Sequence, residues 1–322
     1  MSQLLVGLLS ALVATNQPAA VSNLITQTTG VKVSVPDTSD PVEMEYQKIM
    51  AEDDAAQMEV DKWIRDAREF AVKGAPAPGD QLQLRIRARL DNVKELYNAF
   101  LKKNPAHAKA RLAYGSFLND IGEDAAGALE WEKAKEIEPN NPAAWNNLAN
   151  YYGHRSPVKK AFEYYAKAIE LDSKEAVYYH NFGTTVFLFR KDAMEFYNIN
   201  EQQVFDKALA LYDKALQLEP NDFLLAHDIA QTYYGIKPAR TEEALKAWRY
   251  ALGVARDDIE RQGVYLHLAR FEMQAGRFDQ ARKNISMVTH EMYGELKGRV
   301  TETLRKKESP DAPAPATSQA PR

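Results

Sequence analysis

A chain of 322 residues that is 45% apolar and 27% charged has the composition of an ordinary soluble protein. Its net charge of −4 argues against a general nucleic-acid binder, whose footprint is a basic stripe. The complete lack of cysteine excludes disulfides, thiolate catalysis and Cys-ligated metals.

Residues 4–14, LLVGLLSALVA, form an apolar run too short to span a bilayer but as long as a signal-peptide core. Small residues at Ala14, Ala19 and Ala20 offer cleavage sites, although no basic residue precedes the run. Residues 1–20 are therefore expected to direct export to the periplasm or beyond. The alternative is a cytoplasmic chain whose first helix docks on the rest. Residues 21–40 continue a stretch rich in Ser, Thr, Asn, Gln and Pro and read as a linker. Val31, Val33 and Val35 within it alternate like a strand that has no ladder to join.

Asp40-Pro41-x-Glu43 is a helix start: Asp40 caps, Pro41 suits the first position and Glu43 resembles a capping box. The helix is expected to run to about Lys73, with Val60, Ile64, Ala67 and Phe70/Ala71 on one face. The segment 74–79, GAPAPG, stops it. Asp80 stands where a phosphate loop would carry lysine, so the segment reads as a plain turn. Asp80 should cap a second helix carrying Leu84, Leu90, Val93, Leu96, Tyr97, Phe100 and Leu101. Residues 41–105 then make a divergent N-terminal helix pair.

From 106 onward small and bulky residues recur at a fixed interval. Residues 108–141 carry Gly115, Gly122, Trp131, Ala134 and Pro139. Residues 142–173 carry Trp145, Leu148, Ala149, Tyr152, Ala161, Tyr165 and Ala168, with Tyr179, Phe182 and Gly183 each 34 residues after the first three. The second half of that next unit, Ala208, Tyr212, Ala215 and Pro220, arrives late: Ala161 to Ala208 is 47 residues, so an insertion intervenes. Further units hold Ile229, Ala230, Tyr233, Ala244, Trp248 and Ala251, then Tyr265, Leu268, Ala269, Gly276, Phe278, Ala281, Ile285 and Val288. The final helix is expected over about 277–307. Residues 308–322 form a Pro/Ala-rich tail with nothing to bury.

This spacing resembles the tetratricopeptide repeat (TPR), with Ala149 in place of Gly, Tyr165 in place of Phe and Ser173 in place of Pro. The resemblance covers about two-thirds of the chain. It implies an all-α, right-handed α-α superhelix of about five to six helix pairs, similar to bacterial members of that family. Recurring Gly and Ala let paired helices approach, while the bulky residues fill the space between pairs.

The resemblance also implies a function, the holding of a peptide or protein segment in a concave groove lined by the first helix of each pair. Positions 5 and 9 of each repeat share one helical face. They correspond to Leu112 and Ser116, Asn146 and Asn150, His180 and Thr184, His227 and Gln231, then Leu266 and Arg270. Asn147 and Asn181 sit beside them, with His154 and Tyr234 further along. Amides donate and accept at once, so such a row suits a peptide backbone. The family's carboxylate clamp needs lysines that are missing from the matching slots, which argues against a C-terminal carboxylate there. The alternative is an assembly subunit that associates with its own copies through convex or terminal faces.

The insertion 187–200, FLFRKDAMEFYNIN, is expected to pack its aromatics, with the preceding helix simply extended and Asn200-x-x-Gln203 capping the next. His180 and His227 lack the spacing of a metal site, and Glu52-Asp53-Asp54 lacks that of a calcium loop and reads as a solvated face. There is no GxSxG, Walker, GxGxxG or HExxH motif. No catalytic residue, metal or cofactor is expected, nor a membrane span or a nucleic-acid partner.

Overall fold

The computed structural model describes residues 40–72, 79–155 and 157–308. The apolar start, the linker, residues 73–78 and the Pro/Ala-rich tail lie outside the described residues, as do the side chains of Phe70 and Ala71. Within the described residues there are fourteen α-helices, none long and apolar enough to cross a membrane. The chain forms two compact units that divide between Pro139 and Asn140, inside the span expected as a single solenoid.

The first unit holds two helix pairs: α1 (Pro41–Val72) with α2 (Asp80–Lys103), and α3 (Ala108–Asp120) with α4 (Asp124–Ile137). The Asp40 carboxylate accepts from the Val42 amide at 2.8 Å, as a cap should. Glu43 does not complete a capping box. It accepts instead from Gln47 at 3.0 Å and faces Lys109 at 3.6 Å, because a carboxylate one turn in finds longer donors within reach. Asp80 does not cap either, since Gly79 holds the cap position without a side chain to offer.

Burial in α1 falls on its first half, where Tyr46, Ile49 and Ala56 meet Val93, Tyr97 and Phe100 of α2 and Tyr114 and Phe117 of α3. Val60, Ile64 and Ala67 are only half-buried, and Leu84 is exposed. The acidic run is not a uniformly solvated face. Asp53 is buried, and accepts from the Tyr97 hydroxyl at 2.8 Å and from Gln57 at 2.9 Å. Burial, then the neighbouring Asp53 carboxylate, pushes the Tyr97 phenol well above its ordinary value. A buried carboxylate would be costly alone, so both hydrogen bonds are structural.

The second unit stacks four pairs in sequence order: α5 (Pro142–Gly153) with α6 (Val158–Leu171), and α7 (Ala176–Leu188) with α9 (Glu201–Leu218). Then α10 (Phe223–Thr232) pairs with α11 (Thr241–Val254), and α12 (Asp258–Gln274) with α13 (Phe278–Ser286). Asn141 and Asp222 cap α5 and α10 through amide bonds of 3.1 Å to Ala143 and Leu225. Ala149, Ala161, Ala208, Ala230, Ala244, Ala269 and Ala281 are all fully buried, which is the close helix approach expected of them. At Gly183 of α7 a Cβ would lie 2.7 Å from the Tyr212 ring of α9, so only hydrogen fits.

Two expectations about helix boundaries change. The insertion does not extend α7: the chain turns at Phe189 and forms a separate short helix, α8 (Arg190–Tyr197). Its Phe196 and Tyr197 pack against Phe162 of α6, with ring centroids at 5.4 and 5.7 Å. The expected packing of the aromatics therefore holds. So does the capping box, with Asn200 and Gln203 exchanging hydrogen bonds of 3.0 and 2.9 Å.

The last stretch is two helices rather than one. A bend and a short 3₁₀ turn (Glu291–Tyr293) separate α13 from α14 (Gly294–Glu308). Gln262 of α12 causes the break by capturing it: its side-chain oxygen accepts from the amides of both Thr289 and His290 at 2.7 Å. The Tyr293 hydroxyl donates to the Ile259 carbonyl at 3.1 Å and pins the turn to the same helix.

Candidate functional site

The first helices of the second unit, α5, α7, α10 and α12, carry the polar side chains expected to line a groove, apart from Ser116 on α3 of the first unit, Tyr234 in the 3₁₀ turn after α10 and His154 just past α5. Contacts join each neighbouring pair of these helices through that row. From α7, the Asn181 amide donates to Asn146 of α5 at 3.3 Å, and Asn146 in turn donates to Asn147 at 3.3 Å. Between α7 and α10, His180 Nε2 lies 4.0 Å from an Asp228 carboxylate oxygen, and within α10 His227 Nδ1 lies 3.7 Å from the other. Between α10 and α12, the Tyr234 hydroxyl meets His267 Nδ1 at 2.9 Å, and the His227 and His267 rings stand edge to face at 5.8 Å.

The members of the row differ in how they are held. Asn146 is buried, so its amide belongs to the helix contact. Asn150 accepts from the Tyr165 hydroxyl of α6 at 2.6 Å, and Thr184 accepts from the Tyr212 hydroxyl of α9 at 3.1 Å. Gln231 turns back onto His227 at 3.1 Å. Asn147 and Asn181 are half-buried, and each keeps one amide atom without a protein partner among the described residues, Nδ2 of Asn147 and Oδ1 of Asn181. His154 is exposed just past α5 and shares no hydrogen bond, ion pair or ring contact with the others.

Burial favours the neutral imidazole at two of these histidines, His180 and His267. Burial lowers the pKa of His180, although Asp228 and Asp222 pull it the other way. His267 is pushed down to about 3 by burial, with Arg270 and His227 acting in the same direction. A neutral ring can accept from Tyr234, and its face stacks on Trp248 with centroids 4.0 Å apart and planes 3° from parallel. Burial raises the Tyr234 phenol, with the hydrogen-bonded Arg270 opposing it.

Sequence reasoning placed Leu266 in this row, and the structure moves it. Leu266 is fully buried against Ala281, Ile285, Val300 and Leu304, while the neighbouring His267 meets Tyr234. The reason is that Val300 and Leu304 of α14 pack on that part of α12, while Leu268 and Ala269 stay buried in the same phase as their counterparts in the earlier first helices. His267 and Asp228 were both missed. The visible signal for His267 was its offset, one residue before Leu268-Ala269, where Asn147 precedes Leu148-Ala149 and Asn181 precedes Phe182-Gly183. Asp228 holds the same offset, directly before Ile229-Ala230. Among the described residues no group of three His, Asp or Glu side chains is placed to hold a metal ion.

No protein-family model matches the chain, and no curated protein does. Among solved structures, PilW, a widely conserved type IV pilus biogenesis factor, superposes with a TM-score of 0.51 at 13% identity, covering 76% of this chain and 98% of PilW. The chain has the tetratricopeptide-repeat fold. Pseudomonas aeruginosa PilF is also similar, with a TM-score of 0.49 at 15% identity over 77% of this chain and 99% of PilF. The TPR protein YrrB aligns with a TM-score of 0.47 at 14% identity, over 64% of this chain and 97% of YrrB. The TPR stack accounts for the buried alanines and the polar face of the first helices together. One surface of each first helix packs on its pair, and the opposite surface faces the row.

Proposed function

We propose that the chain is a protein-interaction scaffold whose second unit binds a peptide or protein segment along the row from Asn146 to Arg270. The observation that carries this reading is the row's continuity: hydrogen bonds, the approach of His180 to Asp228 and ring contacts link α5, α7, α10 and α12 one to the next. A binding surface of this kind needs side chains held in place before the ligand arrives, because ordering them afterwards costs affinity. Tyr165 and Tyr212 supply that restraint from the second helices. The open amide atoms of Asn147 and Asn181 can then pair with a backbone whatever the ligand's side chains. This is binding without catalysis.

The test is affinity capture from the native host with identification by mass spectrometry, comparing wild type with Asn147→Ala/His180→Ala/Asn181→Ala. These three are half-buried rather than core, so circular dichroism should show the helices unchanged while captured partners fall away. An undiminished set of partners would overturn the reading. A stable homo-oligomer that hides the row would replace it with the assembly-subunit alternative.

A further inference from the structure

The row ends in a cleft of about 340 Å³ between α12 and α14, next to the 3₁₀ turn that carries Tyr234. Three cations line it, Arg270 from α12 with Arg299 and Lys307 from α14, and no lining residue is acidic. Met273 and Val300, both buried, form its floor. Tyr234, Gln274 and Thr303 add polar atoms at the walls.

This concentration of charge is unlike the rest of the second unit, where arginines are matched with carboxylates. Arg240 pairs with Asp206 at 2.6 Å, Arg249 with Glu272 at 2.8 Å, and Arg305 of α14 itself with Glu302 at 2.8 Å. Arg270 and Lys307 have no carboxylate partner among the described residues. Arg299 has only an exposed contact to Glu295 at 3.4 Å, a kind of pair worth little. Three cations around one concave space repel one another, and a matching anion would relieve that repulsion.

Spacing narrows the choice of anion. Arg299, Thr303 and Lys307 recur every four residues, so they extend along about 12 Å of α14. That is too long for one carboxylate. In an extended peptide, alternate side chains share a face and repeat at about 6.7 Å, so three of them span about 13 Å. We infer that this cleft receives the acidic side chains of an extended partner segment with Asp or Glu at alternate positions. The inference rests on the interaction-scaffold reading and names the ligand chemistry at one end of its row.

The experiment uses the full chain and a capped, fluorescein-labelled peptide with three aspartates at alternate positions among Gly and Ser. Fluorescence anisotropy should give saturable binding that weakens at least tenfold in Arg299→Gln/Lys307→Gln, a variant confined to exposed positions. It should also weaken as salt is raised. The Asn counterpart of the peptide should not bind. Lack of saturable binding to wild type, or equal binding by the variant, would overturn the inference. So would equal affinity for a neutral peptide with a free C-terminus, which would mean a single-carboxylate site. Displacement by inorganic phosphate as complete as by unlabelled aspartate peptide would also overturn it, in favour of a phosphate site. The two readings fail separately. If the aspartate peptide does not bind while the Asn147/His180/Asn181 variant still loses its host partners, only the cleft assignment falls. If the peptide binds through the cations while those partners are kept, only the row reading falls.

Discussion

Replacing Gly183 with alanine tests whether helix approach, rather than helix propensity, governs the stack. The added Cβ would lie 2.7 and 2.8 Å from two carbons of the Tyr212 ring and 3.2 Å from the Ala208 carbonyl. Tyr212 has little room to retreat, since it is 2% exposed and its hydroxyl is held by Thr184 at 3.1 Å. Overpacking of this kind costs about 1–3 kcal/mol. Losing the Tyr212–Thr184 bond would add about 1 kcal/mol. Alanine in a helix interior returns about 1 kcal/mol over glycine. The net expectation is a loss of about 1–3 kcal/mol. Gly298 of α14 is the internal control, because it is exposed and a Cβ there meets nothing within 4 Å. Gly298→Ala should therefore gain about 0.5–1 kcal/mol. Urea unfolding followed by far-ultraviolet circular dichroism reads both midpoints within the same unit. If the two substitutions shift the midpoint in the same direction, close approach is not what selects glycine at 183.

His267 should make stability fall with acid. Its folded value of about 3 lies below the ordinary 6.5, so between those limits the unfolded chain binds a proton that the folded chain does not, and stability declines as pH drops. From about pH 7 to about pH 5 the loss is about 2 kcal/mol, measured as the difference in urea midpoint between wild type and His267→Gln, whose own pH dependence should be shallower. An equal slope in both would refute the assignment. Asn200→Ala removes the capping box of α9 and should cost about 1 kcal/mol, with the thermal midpoint lowered and partner capture unchanged. An unaltered midpoint would mean that α8 alone fixes the start of α9.

Most of the architecture was legible because repeat spacing encodes packing directly. Small residues recurring at the interval of a helical hairpin, 34 positions between the early units and longer later, mark a recurring close contact, and the buried alanines bear that out. What failed was local and had particular causes. Gln262 ends α13 from a neighbouring helix 27 residues away in sequence, so no cap signal near residue 287 could announce it. Asp53 looked solvated because its neighbours Glu52 and Asp54 are acidic, whereas its partner Tyr97 comes from the next helix. The row suffered the same limitation: Leu266 is buried by Val300 and Leu304 of α14, which lies beyond the last counted repeat. Counting offsets assumes every unit has the same neighbours, and the last unit does not.

The tyrosines show a second way in which a size-based reading falls short. Tyr165 fills a slot where the repeat pattern has Phe, and by volume alone the exchange is neutral. In the structure its hydroxyl lies between two polar groups: it donates to Asn150 at 2.6 Å and accepts from Thr185 at 3.2 Å. Tyr212 repeats the device one unit later, on Thr184. The large aromatic slot of the first unit holds Trp131, whose indole N–H donates to the Leu112 carbonyl at 3.1 Å. Each of these second-helix aromatics therefore buries its ring in the core while its polar tip reaches the first helix of the same pair. Burial pushes the Tyr165 phenol up to about 12, so it stays protonated and able to donate across the physiological range. In the second unit the same residue class thus serves both packing and the row, and a phenylalanine at 165 or 212 would leave the helices stacked but release Asn150 or Thr184 from its fixed position.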